Sequence, residues 1–273
     1  MANKISVELG NVQKTMFLPL WGRSVETKKE RPLLRDQTAL EIIEKVDYDF
    51  AGITRNISEI SQVAWIMRSL FVDEVIGNYL VSHPKATVVN IGCGMDTTFD
   101  RIDNGLLLWY DLDMPDVIEL RKKFIKETSR RKFIPASFLD EGWLKKIKVV
   151  DGILFIAAGV LYYFEEAEVK TFLKRLADSF PGCEVFFDVA SPSGVKVANK
   201  RVIESSGLDE RSYLKWGLQN TNDILTWDSR FEILKIQYYF KRRGLPLKIK
   251  MIGLISDWMK VQYMILMRIK EPS

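Results

Sequence analysis

The stretch that most constrains this chain is Val88-Val89-Asn90-Ile91-Gly92-Cys93-Gly94-Met95-Asp96-Thr97-Thr98. An apolar, β-branched run stops at two glycines separated by one residue, and a segment compatible with a helix starts at once. A strand that enters such a turn and leaves as a helix is the opening of a βαβ unit, which commits the chain to a parallel sheet covered on both faces. Gly92 permits the tight turn, and Gly94 lets a ligand approach the backbone closely. The helix that follows points its first amides at that ligand.

The flanking sequence extends the pattern. Compact apolar runs at 86–91, 106–110, 132–135, 152–158 and 184–189 read as strands, and the amphipathic stretches 98–103, 117–129 and 165–180 read as helices between them. Upstream, 58–81 places apolar residues at three- and four-residue steps and predicts a long helix; Asp36 is positioned to cap a helix over 37–45. In 1–35, Gly10, Pro19, Gly22 and Pro32 interrupt the apolar stretches, which predicts short helices and loops. Downstream, 192–227 reads as polar and helical. The runs 232–240 and 261–269 are long and β-like, and their connection, with Gly244, Pro246 and Gly253, could hold a short helix. They predict an antiparallel pair at the sheet edge.

Composition narrows the class. The 273 residues are 47% apolar and 28% charged, a globular balance with enough chain for a large core. A net charge of +4 does not mark a nucleic-acid binder, and the short basic clusters at 130–132 and 241–243 read as solvated surface. Cys93 and Cys183 lie far apart without metal-ligand spacing, so neither a disulfide framework nor a metal site is expected. No apolar run reaches spanning length and the start carries no signal-peptide pattern, so the expectation is a cytoplasmic protein without membrane or nucleic-acid partners.

Asp111 and Asp113 follow Gly92 by about twenty residues, where a carboxylate can accept hydrogen bonds from ribose hydroxyls. They also fit as plain strand terminators. Dinucleotide sites usually carry a third glycine where this chain has Thr97, and Asp96 in the loop opposes a pyrophosphate. Asp96 suits a nucleoside bearing an ammonium and a sulfonium, and equally suits a helix N-cap.

The segment 89–99 resembles the first motif of the leucine carboxyl methyltransferase family, which includes tetracenomycin-type polyketide O-methyltransferases. Trp109-Tyr110-Asp111-Leu112-Asp113-Met114-Pro115 resembles the second motif, and Ala158-Gly159-Val160-Leu161-Tyr162-Tyr163-Phe164 looks like the motif after the fourth strand. Lys14-Thr15-Met16, Trp21-Gly22-Arg23 and Arg35-Asp36 resemble the N-terminal segment of bacterial members. The resemblance implies a Rossmann-like α/β fold: a mostly parallel seven-stranded sheet with a late antiparallel strand and helices on both faces. Within one domain over 1–273 it implies an N-terminal helical segment (1–83), a cofactor-binding core (84–191), a lid-like insertion (192–230) and terminal strands (231–273). It implies S-adenosylmethionine as cofactor. Lys14 and Arg68 would hold its methionine carboxylate, and Gly92, with Cys93 and Gly94, would lie under the methionine portion. Asp113, with or without Asp111, would bind the ribose, and Ser137 and Phe138 would flank the adenine. Ser137 replaces an aspartate and Ala158 a glutamate found in some members; weaker binding, or use of Asp140 or Asp188 instead, stays open.

Methyl transfer to an alcohol or phenol gains from a general base, most often histidine. The one histidine, His83, precedes the first strand, at the wrong end of the sheet for a ligand crevice. This favours a small acceptor already anionic at neutral pH, most simply a carboxylate, with a polyketide-like hydroxyl as the alternative. Tyr162, Tyr163 and Arg23 are the acceptor-pocket candidates; each also fits ordinary packing or surface. The segment 192–227 is a candidate cover. Met251, Met259, Met264 and Met267 read as core filler. A cofactor-binding protein without catalysis and a nicotinamide-dependent oxidoreductase are the competing readings, and the residues leave the oligomeric state undetermined.

Overall fold

The structure is a computed structural model that describes residues 4–6, 11–55, 57–204, 210–241 and 244–271, with the backbone alone at 6, 11–15, 53 and 211. In chain order its elements are β1 (Ile5–Ser6), α1 (Asn11–Thr27), α2 (Gln37–Lys45), β2 (Val46–Asp47), α3 (Phe50–Thr54), α4 (Glu59–Ser82), β3 (Thr87–Ile91), α5 (Thr98–Ile102), β4 (Leu108–Asp113), α6 (Pro115–Lys122) and β5 (Arg131–Pro135). Then come β6 (Ile153–Ala157), α7 (Glu166–Ser179), β7 (Glu184–Val189), α8 (Pro192–Ala198), β8 (Phe231–Tyr238), α9 (Leu247–Trp258) and β9 (Tyr263–Ile269).

Seven strands form one sheet in the order β5-β4-β3-β6-β7-β9-β8. β3, β4, β5, β6 and β7 pair in parallel, while β9 runs antiparallel to both β7 and β8. The last strand therefore inserts between β7 and β8, which places the expected antiparallel pair at one edge. The strand order reverses beside β3, and crevices for ligands open at such switch points, beyond the carboxyl ends of the strands.

Each central strand is buried on both sides, as the continuous apolar runs require. Alternate residues serve two cores. Val88, Trp109, Leu154 and Phe186 pack toward α4, whose Met67, Phe71 and Ile76 are buried there. Val89, Tyr110, Phe155 and Phe187 pack toward α7 through Val169, Phe172 and Leu176. Ser58 caps α4, its hydroxyl accepting from Ser61 N at 3.3 Å, and Asp36 caps α2 by accepting from Ala39 N at 2.9 Å.

Four sequence readings are corrected here. The N-terminal region is a single 17-residue helix that runs through Pro19, not a set of short ones. α6 stops at Lys122 rather than reaching 129, and the chain then turns into β5. The connection between the last strands holds a full 12-residue helix, α9. Met264 and Met267 are fully buried core residues as expected, but Met251 (62% exposed) and Met259 (41% exposed) face solvent.

A buried ionic cluster fixes α1, α2 and α4 against α5. Asp36 accepts from Arg23 Nε (2.8 Å), Arg101 Nη1 (2.7 Å) and Thr97 Oγ1 (2.6 Å), and Arg101 clamps Asp73 with two bonds of 2.8 Å. This cluster sits directly behind the glycine turn, so the N-terminal helices are tied to the site and not merely packed on the domain.

Candidate functional site

A cavity of about 330 Å³ opens at the carboxyl ends of β3, β4 and β6. That volume lies in the range of small-molecule sites, roughly 300–1,000 Å³. Its floor is the glycine turn. Gly92 has φ +61° and Gly94 φ +45°, the left-handed region that favours glycine. A Cβ on Gly92 would lie 2.5 Å from Val160 Cγ2, and one on Gly94 would lie 3.1 Å from Met16 Cβ in α1. The turn is thus pressed between the segment after β6 and the N-terminal helix, and no side chain fits at Gly92. Gly92→Ala is expected to lower stability by about 1–3 kcal/mol, from backbone strain and overpacking. It should also weaken cofactor binding; a urea titration and a calorimetric titration would read the two effects separately.

Asp113, the last residue of β4, borders the cavity. Its Oδ2 accepts from Gly94 N at 2.7 Å and its Oδ1 from Met114 N at 2.8 Å. Burial raises the pKa of this carboxyl above the ordinary aspartate value, against the pull of those two amides. Asp113 therefore links the glycine turn to the end of the neighbouring strand and still offers carboxylate lone pairs to the cavity.

Asp111, its partner in the sequence reading, does not line the cavity. It is fully buried. Its Oδ1 accepts from Trp109 Nε1 (2.8 Å) and Asn90 Nδ2 (3.3 Å), and its Oδ2 from Arg121 Nη2 and Arg131 Nε, both at 2.9 Å. Residues two apart on a strand share a face, so the difference lies along the strand: Asp113 is at its end, where the chain leaves the sheet, and Asp111 lies further in, among the arginines. Arg121 continues from Asp111 to the carbonyls of Gly94 (2.8 Å) and Asp96 (2.7 Å), so the buried pair supports the glycine turn from behind.

Asp96 borders the cavity, but its oxygens are engaged: Oδ2 accepts from Thr98 N (2.9 Å) and Asn90 Nδ2 (3.3 Å), and Oδ1 from Thr98 Oγ1 (3.0 Å). Burial acts to raise its pKa, yet Arg23, Arg101 and Arg121 hold it below the ordinary value. It caps α5.

Arg68 projects from α4 into the wall beside Gly159 and Ala158. Its Nη1 donates to Tyr162 Oη (3.1 Å) and to Asp188 Oδ2 (3.2 Å). Asp188 is fully buried, and its Oδ1 also accepts from Gly159 N at 2.7 Å. This carboxylate lies behind the wall, where it orients Arg68 and the chain after β6. Asp140 accepts from Ser137 N at 3.3 Å and lies outside the wall. Ser137, Phe138 and Ala158 all border the cavity, as do Cys93 and Gly94. Phe138 is held edge-on by Phe164 and Phe172, with ring centroids 4.6 and 4.8 Å away. Lys14 lies in α1, and its side chain is outside the described residues.

At the other end the cavity is apolar, walled by Leu18, Trp65, Tyr163, Val202, Ile203 and Leu214. These come from α1, α4, the short turn 161–163 and the segment after α8. Tyr162 and Tyr163 both reach the wall, their rings 5.0 Å apart. Arg23 touches the cavity edge, but its Nε is bonded to Asp36 and its Nη2 faces Met95 O and Thr97 Oγ1. It is a structural member of the ionic cluster, which corrects its reading as an acceptor contact. His83 ends α4 and stacks on Tyr79 at 4.4 Å, away from the cavity.

Of this apolar wall the sequence pointed to Tyr163 and, as a candidate cover, to the segment 192–227, but not to Leu18 or Trp65. Its residues come from separate elements and follow no common period. Asp188 did leave a signal, as a carboxylate inside the apolar run that follows Glu184.

Residues 17–177 match the leucine carboxyl methyltransferase family. The chain is also 31% identical over 243 residues to the tetracenomycin polyketide synthesis O-methyltransferase TcmP of Streptomyces glaucescens, covering 88% of this chain and 87% of that one. The chain belongs to the leucine carboxyl methyltransferase family. A second relative in sequence is the S-adenosyl-L-methionine-dependent methyltransferase dpfgK of Gibberella zeae, 25% identical over 65% of this chain and 64% of its own. Among solved structures, a DUF574-family protein from Streptomyces avermitilis superposes with a TM-score of 0.59 at 11% identity, covering 92% and 97% of the two chains. A methyltransferase from Anabaena variabilis superposes with a TM-score of 0.51 at 12% identity, covering 73% and 84%. These last two likenesses show the shared fold. As a member of the leucine carboxyl methyltransferase family, the chain is an S-adenosylmethionine-dependent methyltransferase.

The cavity fits that cofactor. The glycine floor leaves room that a Cβ would take up, Asp113 offers acceptors for hydroxyls, Phe138 gives an apolar face for a base, and Arg68 brings a cation to the wall beside Gly159.

Proposed function

We propose that this methyltransferase transfers the methyl group to an oxygen of a small, largely apolar acceptor, a carboxylate or an acidic polyketide-like hydroxyl. The observation that carries the proposal is the chemistry of the cavity wall. Apart from Asp113, every ionisable group described there is either tied to a partner or held neutral. Burial pushes the Cys93 thiol and the Tyr162 hydroxyl well above their ordinary values. Arg68 and Asp96 are engaged as above, and the lone histidine is elsewhere. With no histidine among the lining residues and these groups engaged, an acceptor that is already an anion has the advantage.

When bound, S-adenosylmethionine supplies an electrophilic methyl group on a sulfonium. The residues around it bind and position. In this reading Asp113 accepts from the ribose hydroxyls, Gly92, Cys93 and Gly94 lie under the methionine portion, and Ser137 and Phe138 flank the adenine. Arg68 faces the carboxylate, and Ala158 leaves space where a longer side chain would project. The apolar end holds the acceptor, with Tyr162 and Tyr163 at the junction and the segment 192–230 acting as its cover. Methyl transfer is an in-line displacement, and bringing the nucleophile to about 3–3.5 Å of the carbon is the main contribution of such a site. The apolar wall excludes water and leaves an anionic nucleophile poorly solvated. The likeness to TcmP, a tetracenomycin polyketide synthesis O-methyltransferase, supports this acceptor class.

The test is to incubate the enzyme with S-adenosylmethionine and a panel of aryl and alkyl carboxylates, phenols and amines, and to quantify S-adenosylhomocysteine. Turnover on carboxylates or acidic phenols is expected. Turnover confined to neutral amines would overturn the acceptor assignment.

A further inference from the structure

Helix α9 is mounted with its apolar side outward. Leu247, Met251, Ile255 and Trp258 recur three and four apart, which places them on one face, and they are 74%, 62%, 60% and 84% exposed. Leu254 and Met259 widen that face. The inward seam is narrow: Ile249, Gly253 and Asp257, each four apart. A Cβ on Gly253 would lie 2.2 Å from Phe240 Cγ, so the helix sits tightly on Phe240. Asp257 Oδ2 accepts from Phe240 N at 3.0 Å. The helix is therefore anchored by three small contacts and displays its large apolar residues to solvent, which is the reverse of a helix that feeds a core. Isolated exposed apolar residues are ordinary, whereas a contiguous set marks a surface that meets something.

Charge identifies what it meets. Lys248 and Lys250 lie on the helix, Lys241 just before it and Lys260 just after it. The one carboxylate of the helix, Asp257, is turned inward and is 4% exposed. In a two-fold pairing with a second copy, the patch would meet itself and bring these lysines together without an acidic group of the helix to pair them. An anionic lipid surface takes the apolar side chains into its headgroup boundary and neutralises the lysines. No helix among the described residues is long and apolar enough to cross a membrane, so the mode is lying on the surface, not spanning it.

We propose that α9 is a peripheral membrane-docking helix for anionic lipid. The contact lies close to the acceptor end of the cavity. Ser191, the N-cap of α8, bonds to the carbonyl of Met259 (3.1 Å) through its hydroxyl and to that of Lys260 (2.9 Å) through its amide, and Gln262 lines the cavity.

The test is flotation of the full-length protein with phosphatidylcholine vesicles, with and without phosphatidylserine. Two variants are compared: Ile255→Ser/Trp258→Ser, and Lys248→Glu/Lys250→Glu. All four residues are on or beside the outward face, and the thermal midpoint of each variant shows whether the fold is kept. The expected result is flotation with phosphatidylserine vesicles and little with phosphatidylcholine alone. Each variant should lower the partition coefficient by about tenfold or more, in line with the weight of surface lysines and buried apolar groups. The proposal is overturned if the wild type does not float with either vesicle, or if both variants float as well as the wild type. It is equally overturned if Ile255→Ser/Trp258→Ser converts a dimer into a monomer in light scattering while vesicles bind neither form.

Discussion

Asp111→Ala is expected to lower the stability of this enzyme by about 3–5 kcal/mol, the cost of removing one partner from a buried ion pair. The removed carboxylate accepts four hydrogen bonds, two of them from the arginines Arg121 and Arg131, which are 0% and 2% exposed. Without it, both guanidinium groups stay buried with less compensation. Each already has one nitrogen without a partner, Arg121 Nε and Arg131 Nη2, so the pair has little slack. Arg121 would also lose the anchor that aims it at the carbonyls of Gly94 and Asp96. Equilibrium unfolding in urea would measure the loss. Cofactor affinity should fall as well, but as a consequence of a loosened turn, and the loss should be partly rescued by Asp111→Asn, which keeps two acceptor positions. A variant as stable as the wild type would remove the buried network from the description of the turn.

Asp113→Ala should have a different signature. The side chain borders the cavity and is not part of the arginine network, so the main loss is in binding. A hydrogen bond to a charged group contributes about 1.5–3 kcal/mol, so S-adenosylmethionine should bind roughly ten- to a hundredfold more weakly. Asp113→Asn keeps one oxygen to accept from Gly94 N and separates the effect on the turn from the effect on the ligand. The pH dependence follows from the raised pKa of this carboxyl. If the ionised form accepts from the ligand, affinity is full above the raised pKa and declines as pH falls through it, at a higher pH than for an ordinary aspartate. Calorimetry across that range, with wild type and Asp113→Asn in parallel, would show the decline in the first and its absence in the second.

The contrast between these two residues shows what the sequence could and could not say. The glycine turn was legible because strand, Gly-x-Gly and helix are local, and each residue type there answers a backbone need. The strands were legible because buried parallel strands are apolar along their whole length. The pair of acids was legible as a pair, but only the structure separates their roles, since the distinction rests on which arginines arrive from α6 and β5. Arg23 misled for the same reason: its partner Asp36 lies on another element, and nothing in the sequence announces that they meet. The 17-residue α1 was missed because Pro19 and Gly22 read as breaks, whereas its packing on α2 and α4 holds the helix through them. The exposed side of α9 was hidden in the same way. Its methionines have the composition of a core, and their exposure follows from the tight Gly253–Phe240 contact, which turns the opposite face inward.

The central claim is that the cavity over Gly92 and Gly94 is the methyl-donor site, closed on one side by Asp113. A crystal structure determined with S-adenosylhomocysteine tests it most directly. The expected density lies over the glycine turn, with the ribose hydroxyls within about 2.5–3.0 Å of the Asp113 carboxylate. Density at any other place on the molecule, or a nucleoside whose ribose turns away from Asp113, would contradict it.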